Sequence, residues 1–157
     1  MNSQEFNSLI KKDKYQVFIL YSSATFPFFV VHHPWFVINR KGIISRWDVL
    51  HREYFGENSW GHLHKDFFLP WQGIEMFLSV PIFRWKSNIL NIIEGDENSP
   101  AAKMADFIEH SPQNYIYTQR YSFIGPNCST YVEWVLDKFP EAKIKLPWNA
   151  IGKNFRE

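Results

Sequence analysis

The sequence has a single cysteine among 157 residues, and its charges nearly cancel, with 17 Lys and Arg residues against 16 Asp and Glu residues. One cysteine excludes an internal disulfide, and a lone thiol is more typical of a reducing compartment. A net charge of +1 with no extended run of Lys and Arg lacks the positive surface that binds nucleic acids. We therefore expect neither a disulfide nor a nucleic-acid partner.

The chain also lacks a long hydrophobic run. Its longest apolar stretches, residues 17–20 and 25–38, are too short to cross a bilayer, and polar residues interrupt the second. Residues 1–14 are polar and charged, without the apolar stretch of a secretory signal. We expect a soluble protein without a transmembrane segment, either cytoplasmic or exported by a route without a cleavable signal peptide.

No internal repeat or low-complexity tract divides the chain. With 45% hydrophobic residues, a chain of this length can bury a core without a metal or a disulfide. We therefore expect one domain, residues 1–157. Aromatic residues make up 18% of the chain, so rings are expected to line the core and any pocket, which suits apolar or sugar-like ligands.

The order of the predicted elements indicates an α+β fold. Hydrophobic periodicity and turn residues predict these elements: a helix at residues 4–11, strands at 15–21, 28–38, 43–51 and 89–93, a helix at 100–110 and a connector or final strand at 115–123. Residues 54–73 are rich in Gly, Asn, His and aromatics and predict a long loop with one short strand. Strands first and helices later are typical of an antiparallel sheet with packed helices.

The only cysteine lies where a last helix is predicted to begin. Gly125 and Pro126 end the preceding segment, and apolar residues recur at helical spacing from Cys128 onward. Unpaired amide N–H groups in the first turn of a helix favour a thiolate and can hold a developing oxyanion. The alternative is that Cys128 is a small buried hydrophobic residue without a chemical role.

A histidine pair interrupts the apolar run of residues 28–38. His32 and His33 therefore lie within a segment that predicts a buried strand. One interpretation is a pair of hydrogen-bonded structural histidines. The other is a base that deprotonates Cys128 and then protonates the leaving group.

The next predicted strand supplies two candidates that could orient the histidine. A hairpin turn at residues 39–42 lays residues 43–51 beside His33, and strand alternation puts Asp48 on one face and His51 on the other. His51, His62 and His64 also suggest a metal site, but no carboxylate or thiolate lies at ligand spacing, so we expect no metal.

Two motifs resemble a known superfamily. Asn127-Cys128-Ser129-Thr130-Tyr131-Val132 resembles the Asn-Cys-x-x-Phe-Val helix start of the lecithin:retinol acyltransferase-like proteins, and His33-Pro34-Trp35 is similar to their histidine strand. Those proteins form a circularly permuted branch of the NlpC/P60 papain-like superfamily, in which the histidine precedes the cysteine. His33 and Cys128 have this order, so the resemblance implies a permuted papain-like fold.

A second resemblance covers most of the chain. Four motifs are similar, in order and spacing, to a bacterial domain-of-unknown-function family, family 3750: His33-x-Trp35, Arg46-Trp47-Asp48-Val49, Gly125-Pro126-Asn127 and Leu146-Pro147-x-x-Ala150-Ile151-Gly152-Lys153. The closing motif is the distinctive one. This family often has serine at the position of Cys128, which implies that many relatives use a hydroxyl or have no chemistry there.

The resemblances imply a role for each matching residue. Cys128 is the expected nucleophile, His33 the base and Asp48 the third polar residue, with His51 as its rival. We expect Asn127, Trp35 and His51 to contact the substrate.

These assignments predict a cysteine hydrolase or acyltransferase that acts on an amide or ester and needs no cofactor. Its substrate is a small molecule, a lipid or a peptide. The alternative is a non-catalytic module of the same fold that binds a ligand or protein partner through an aromatic groove. A toxin or injected effector with this chemistry would use the same site.

Overall fold

The computed structural model describes residues 1–156, with every side chain except that of Pro81. Within this range the chain forms seven strands and four α-helices. The strands are β1 (Tyr15–Ser23), β2 (His32–Arg40), β3 (Ile43–Gly56), β4 (Ser59–Lys65), β5 (Gln72–Phe77), β6 (Val80–Lys86) and β7 (Asn88–Gly95). The helices are α1 (Ser3–Leu9), α2 (Pro100–Glu109), α3 (Ser111–Asn114) and α4 (Cys128–Leu136), and Pro140–Ala142 form a 3-10 turn.

The strands form one large sheet and one hairpin. The five-stranded sheet has the order β4-β3-β2-β1-β7, and each neighbouring pair is antiparallel. Strands β5 and β6 pair separately. The predicted α+β class, an antiparallel sheet with packed helices, is therefore confirmed. None of the helices in residues 1–156 is long and apolar enough to cross a membrane.

The large sheet buries apolar residues on both faces. Ile19 and Phe36 face α2 and α4, whereas Phe18 and Trp35 pack on the other face against Phe6 of α1. Each such side chain stabilises the fold by about 1.5–3 kcal/mol when it is fully removed from water. This packing fixes the positions of β2 and β3, the two strands that carry the candidate site.

The two helices predicted to begin at Pro100 and at Cys128 are both present. Ser99 caps α2 by accepting a hydrogen bond from the N–H of Ala102 at 3.2 Å, and Pro100 occupies the first turn, where its missing N–H costs nothing. Helix α4 begins at Cys128.

The strand predicted from residue 28 is wrong in its first four residues. Strand β2 begins at His32, which pairs with Ser23 at the end of β1. Residues 24–31 instead form a loop, closed by a hydrogen bond from the N–H of Ala24 to the carbonyl of Val31 at 2.8 Å. An apolar run looks the same in sequence whether it is a buried strand or an exposed apolar loop, because only the presence of a pairing strand separates the two.

The long loop with one short strand predicted for residues 54–73 is only partly correct, because β4 is a short strand but the loop is confined to residues 57–58 and 66–71. Strand β3 continues to Gly56 and forms a hairpin with β4. The β5–β6 hairpin that follows was not predicted, because its turn, Leu78-Ser79, has none of the Gly, Asn or Asp residues that mark tight hairpins. Residues 115–123 contain turns and no strand, so they are a connector.

Candidate functional site

Strands β2 and β3 bring the predicted histidine and aspartate together. The Nε2 atom of His33 donates to Oδ1 of Asp48 at 2.8 Å, and both side chains are almost completely buried. His51, the other candidate for this contact, is exposed and packs edge-on against Tyr121. Asp48 lies in the regular, buried part of β3, whereas His51 lies beyond Val49, where the pairing of β3 with β4 becomes irregular and the strand is exposed.

A buried arginine holds the aspartate from its other side. The Nη2 and Nε atoms of Arg46 donate to Oδ2 of Asp48 at 2.6 and 3.2 Å. Nη1 donates to the carbonyls of Leu69 and Gln72, and the guanidinium stacks 4.1 Å from the ring centroid of Trp35. Sequence reasoning gave Arg46 no role, although its position two residues before Asp48 on one strand was the available signal.

The charges of His33, Asp48 and Arg46, which lie in a row, stabilise one another. Burial opposes a charge on Asp48, but His33 and Arg46 outweigh it and hold the pKa of Asp48 below its ordinary value. Burial likewise favours neutral imidazole, but the negative charges of Cys128 and Asp48 and their hydrogen bonds outweigh it and raise the pKa of His33 to about 10. Imidazolium is therefore the form of His33 that this site favours at neutral pH.

The nucleophile candidate enters from α4. Cys128 is the first residue of this helix, is 6% exposed and lines the same pocket as His33, close enough that its charge and hydrogen bonding raise the pKa of His33. Because Asp48 engages Nε2 of His33, Nδ1 is the ring nitrogen left for the thiol. The structure thus places a thiol, an imidazole and a carboxylate in one continuous row.

We expected the N–H groups in the first turn of α4 to hold an oxyanion, but most of them donate hydrogen bonds to Asn127 in the helix cap. Oδ1 of Asn127 accepts hydrogen bonds from the N–H groups of Ser129 and Thr130, and the N–H of Tyr131 donates to the carbonyl of Asn127. The N–H of Cys128 is the first-turn donor that this cap leaves for a ligand. Asn127 therefore both caps the helix that carries Cys128 and lines the pocket.

A pocket of about 490 Å³ opens onto this row. Cys128, His33, Asn127 and His51 all line it. Trp35 does not: it is fully buried beneath Arg46, and its indole N–H donates to the carbonyl of Pro70 at 3.1 Å. Trp35 therefore packs against Arg46 and is not placed where we expected it to contact a substrate.

The pocket also contains residues that sequence reasoning missed. Tyr121 lines it, and burial together with the charges of Cys128 and Asp48 raises the pKa of Tyr121, so its hydroxyl stays a neutral donor. Glu75 and Arg52 form a second charged group in the wall, with Oε1 of Glu75 3.1 Å from Nη2 of Arg52. No sequence signal identified Tyr121 or Glu75, because both come from segments whose position depends on the tertiary fold.

The other two histidines of the suggested metal site make hydrogen bonds to protein atoms. Nδ1 of His62 donates to the carbonyl of Leu50, and His64 bonds Ser59 through Nδ1 and the carbonyl of Arg52 through Nε2. In the described part of the chain, no three His, Cys, Asp or Glu residues are grouped to hold a metal ion.

The closing motif fastens the C-terminal tail onto the start of α4. The hydroxyl of Thr130 donates to the carbonyl of Gly152 at 2.8 Å. Gly152 has φ +91°, and a Cβ there would lie 2.6 Å from Oδ1 of Asn127, so only glycine fits. Nζ of Lys153 donates to the carbonyls of Leu146 and Pro147 at 2.8 Å each. The tail thus fixes the cap that positions Cys128.

Comparison with known families assigns the chain to one of them. The model of a family described as a protein of unknown function, DUF3750, matches residues 14–155. The chain belongs to this family. The matched range includes the histidine strand, the aspartate strand, the cysteine helix and the closing motif. No curated protein and no solved structure matches the chain.

Proposed function

We propose that this member of the DUF3750 family is a cysteine hydrolase or acyltransferase that acts on an ester or amide through Cys128, His33 and Asp48. The observation that carries the proposal is the buried row in which Asp48, held by Arg46, contacts His33, with Cys128 beside His33 at the wall of a pocket. A histidine with only a structural role would need a hydrogen-bond partner, but not a thiol on one side and a carboxylate on the other. This arrangement is the one that nucleophilic catalysis requires.

The chemistry follows from the positions of the three groups. Sγ of Cys128, its proton held on His33, attacks the carbonyl carbon and forms a tetrahedral intermediate. The carbon–oxygen or carbon–nitrogen bond then breaks, and His33 gives its proton to the departing alcohol or amine. Water or an acceptor amine, deprotonated by His33, attacks the thioester. The carbon–sulfur bond then breaks, the acyl group leaves on the acceptor, and the Cys128 thiolate is restored beside protonated His33.

Two donors are available for the oxyanion of each tetrahedral intermediate. One is the N–H of Cys128, which the helix cap leaves unused, and the other is the hydroxyl of Tyr121 in the pocket wall. Asp48 keeps His33 in one orientation and stabilises its positive charge. Arg46 in turn keeps Asp48 ionised, so the proton stays on His33 during the attack.

The same observations support a circularly permuted papain-like architecture. A cysteine at the start of a helix, a histidine on a strand and an acidic residue on the neighbouring strand are the parts that this architecture combines. His33 precedes Cys128, as the permuted branch requires. The fold assignment remains our proposal and would be tested by an experimental structure with an acyl group trapped on Cys128.

Acyl trapping tests the proposed function directly. We expect p-nitrophenyl acetate to release nitrophenol and to acetylate Cys128, detected by mass spectrometry of the intact protein and its peptides. Cys128→Ala, His33→Gln and Asp48→Asn are expected to lose this reaction. His110→Gln is the matched control, since His110 is 60% exposed and does not line the pocket. Equal reactivity of the wild type and Cys128→Ala would refute the proposal.

A non-catalytic binding module of the same fold is the second candidate. It is favoured by one observation, the low exposure of Cys128 at 6%. In that case the thiol would react slowly with iodoacetamide, and replacing His33 would not change the rate. The proposed enzyme instead predicts labelling of Cys128 that slows in His33→Gln, because the imidazolium no longer stabilises the thiolate.

A further inference from the structure

Five phenylalanines with large exposed fractions surround the entrance to the Cys128 pocket. Their exposed fractions range from 42% to 57%, and we call this set the apolar rim: Phe26, Phe28, Phe29, Phe77 and Phe123. The rim comes from three separate segments, the loop after β1, the end of β5 and the loop before α4. Scattered exposed apolar residues are ordinary, but a cluster of aromatic rings at one place marks a surface that binds something apolar.

Ring contacts join the three segments into one surface. Phe26 stacks on Phe29 and contacts Phe77, with ring centroids 6.0 Å apart in both pairs. Phe28 contacts Phe123 with centroids 4.5 Å apart. A backbone hydrogen bond from the N–H of Phe26 to the carbonyl of Met76, 2.8 Å long, holds the first loop to β5. The apolar rim is therefore a continuous patch whose parts support one another.

The segments that carry the rim contain no charged residue. Residues 24–31, 76–83 and 121–127 have no Asp, Glu, Lys or Arg. Moving these segments out of water therefore requires none of their own side chains to lose the hydration of a charge, a loss that would cost several kcal/mol for each ion. The charges of the pocket wall, on Arg52 and Glu75, are paired with each other at 3.1 Å. The rim is suited to contact with hydrocarbon.

The pocket opens within this patch. Phe26, Phe28 and Phe123 both line the pocket and are about half exposed, so they form its entrance. Any partner that covers the rim therefore also covers the entrance to Cys128. A protein seated there would block the site, whereas a lipid surface would cover the rim and supply a substrate through the same opening.

We infer that the apolar rim docks on a lipid surface and that the substrate of Cys128 is a fatty acyl ester from that surface. This inference rests on the proposed function. The acyl chain would pass between the rim phenylalanines and lie against the apolar pocket wall, which includes Leu50, Phe68 and Ile74. Cys128 would then form a thioester with the acyl carbon while the ester C–O bond breaks, and the alcohol would leave with the proton from His33.

Vesicle binding tests the docking step. The full-length protein is mixed with phosphatidylcholine vesicles, with and without phosphatidylglycerol, and the bound fraction is measured by flotation. We expect binding to both compositions with little dependence on salt, because the rim carries no charge. Binding that requires phosphatidylglycerol and disappears in salt would overturn docking through the rim.

A double variant, Phe29→Ser with Phe77→Ser, removes rim area at two residues that do not line the pocket and leaves in place Phe26, the pocket-lining ring that both contact. We expect its vesicle binding to be weaker by about tenfold or more, since two phenylalanines no longer bury apolar surface. Ile43→Ser is the matched control, because Ile43 is 76% exposed at the turn at the other end of β2. Equal binding of the double variant and the control would overturn the inference.

Activity measurements separate this inference from the proposed function. We expect the wild type to release fatty acid from the vesicles and to hydrolyse soluble p-nitrophenyl butyrate, whereas the double variant loses only the vesicle reaction. Turnover of the soluble ester without release of fatty acid would overturn the lipid substrate and leave the proposed function standing. Rim-dependent binding with no turnover of any ester would overturn the catalytic role of Cys128 and leave the docking step standing.

Discussion

Replacing Asp48 by Asn is expected to lower the free energy of unfolding by about 3–5 kcal/mol, the range for removing one partner of a buried ion pair. Asn keeps the shape of the side chain but removes the charge. Arg46, 2.6 Å from one carboxylate oxygen, then keeps its charge without this counterion, and His33, 2.8 Å from the other, loses one of the two negative charges that raise its pKa. Both side chains are at most 5% exposed, so water cannot replace the carboxylate.

Urea unfolding at pH 7, followed by tryptophan fluorescence, measures this loss. The matched control is Asp106→Asn, which removes a carboxylate that is 60% exposed and 3.7 Å from Nη1 of Arg40. An exposed pair of this kind contributes about 0–1 kcal/mol. If Asp48→Asn were no more destabilising than Asp106→Asn, the buried row would not depend on its carboxylate, and our reasoning would be refuted.

The pH dependence provides a second check on Asp48. A carboxylate whose folded pKa is lowered stabilises the protein above its unfolded pKa, about 3.9, and this stability is lost only as the pH falls through the folded value. The stability difference between the wild type and Asp48→Asn is therefore expected not to shrink until the pH falls below about 4. A difference that shrinks between about pH 7 and 5 would contradict a lowered pKa.

Three other predictions concern the histidine, the tail and the pocket. The raised pKa of His33 adds stability that is complete below about pH 6.5 and is lost as the pH rises through about 10, so the advantage of the wild type over His33→Gln in urea midpoint should decline across this window. Gly152→Ala should destabilise more than Gly42→Ala in the same assay, because both glycines have positive φ but only a Cβ at Gly152 overlaps Asn127, whereas one at Gly42 lies 3.8 Å from a flexible side chain. Tyr121→Phe should slow ester turnover by about a hundredfold without changing the urea midpoint, and an unchanged rate would exclude its hydroxyl as an oxyanion donor.

Local signals in the sequence were sufficient for several elements of the fold. The helix of residues 100–109 begins with a Ser cap and a Pro, and the strands on either side of the turn at residues 39–42 have long apolar runs. These signals act within a few residues, so they are readable without the tertiary structure. The strand at residues 28–31 was wrong, and the loop at residues 54–73 only partly correct, because pairing partners, which the sequence does not reveal, decide those segments.

The sequence by itself predicted the positions and order of the candidate residues: His33 on a strand, Asp48 on the next strand, and Cys128 at the start of a helix. Turn residues and hydrophobic period were enough to predict these elements, because each depends on neighbours in the chain, and the family resemblance then singled out His33 and Asp48. Hairpin pairing also limited the partner of the histidine to Asp48 or His51.

Only the tertiary structure decided between those two partners and built the surroundings of the site. It brought Asp48 to His33, buried Arg46 behind the carboxylate, and placed Tyr121 in the pocket wall. It also exposed the apolar rim around the entrance and fastened Gly152 onto the cap of the cysteine helix. Burial, ion pairing and pocket shape depend on segments far apart in the chain, and the free energy of those contacts exists only once the segments are packed together.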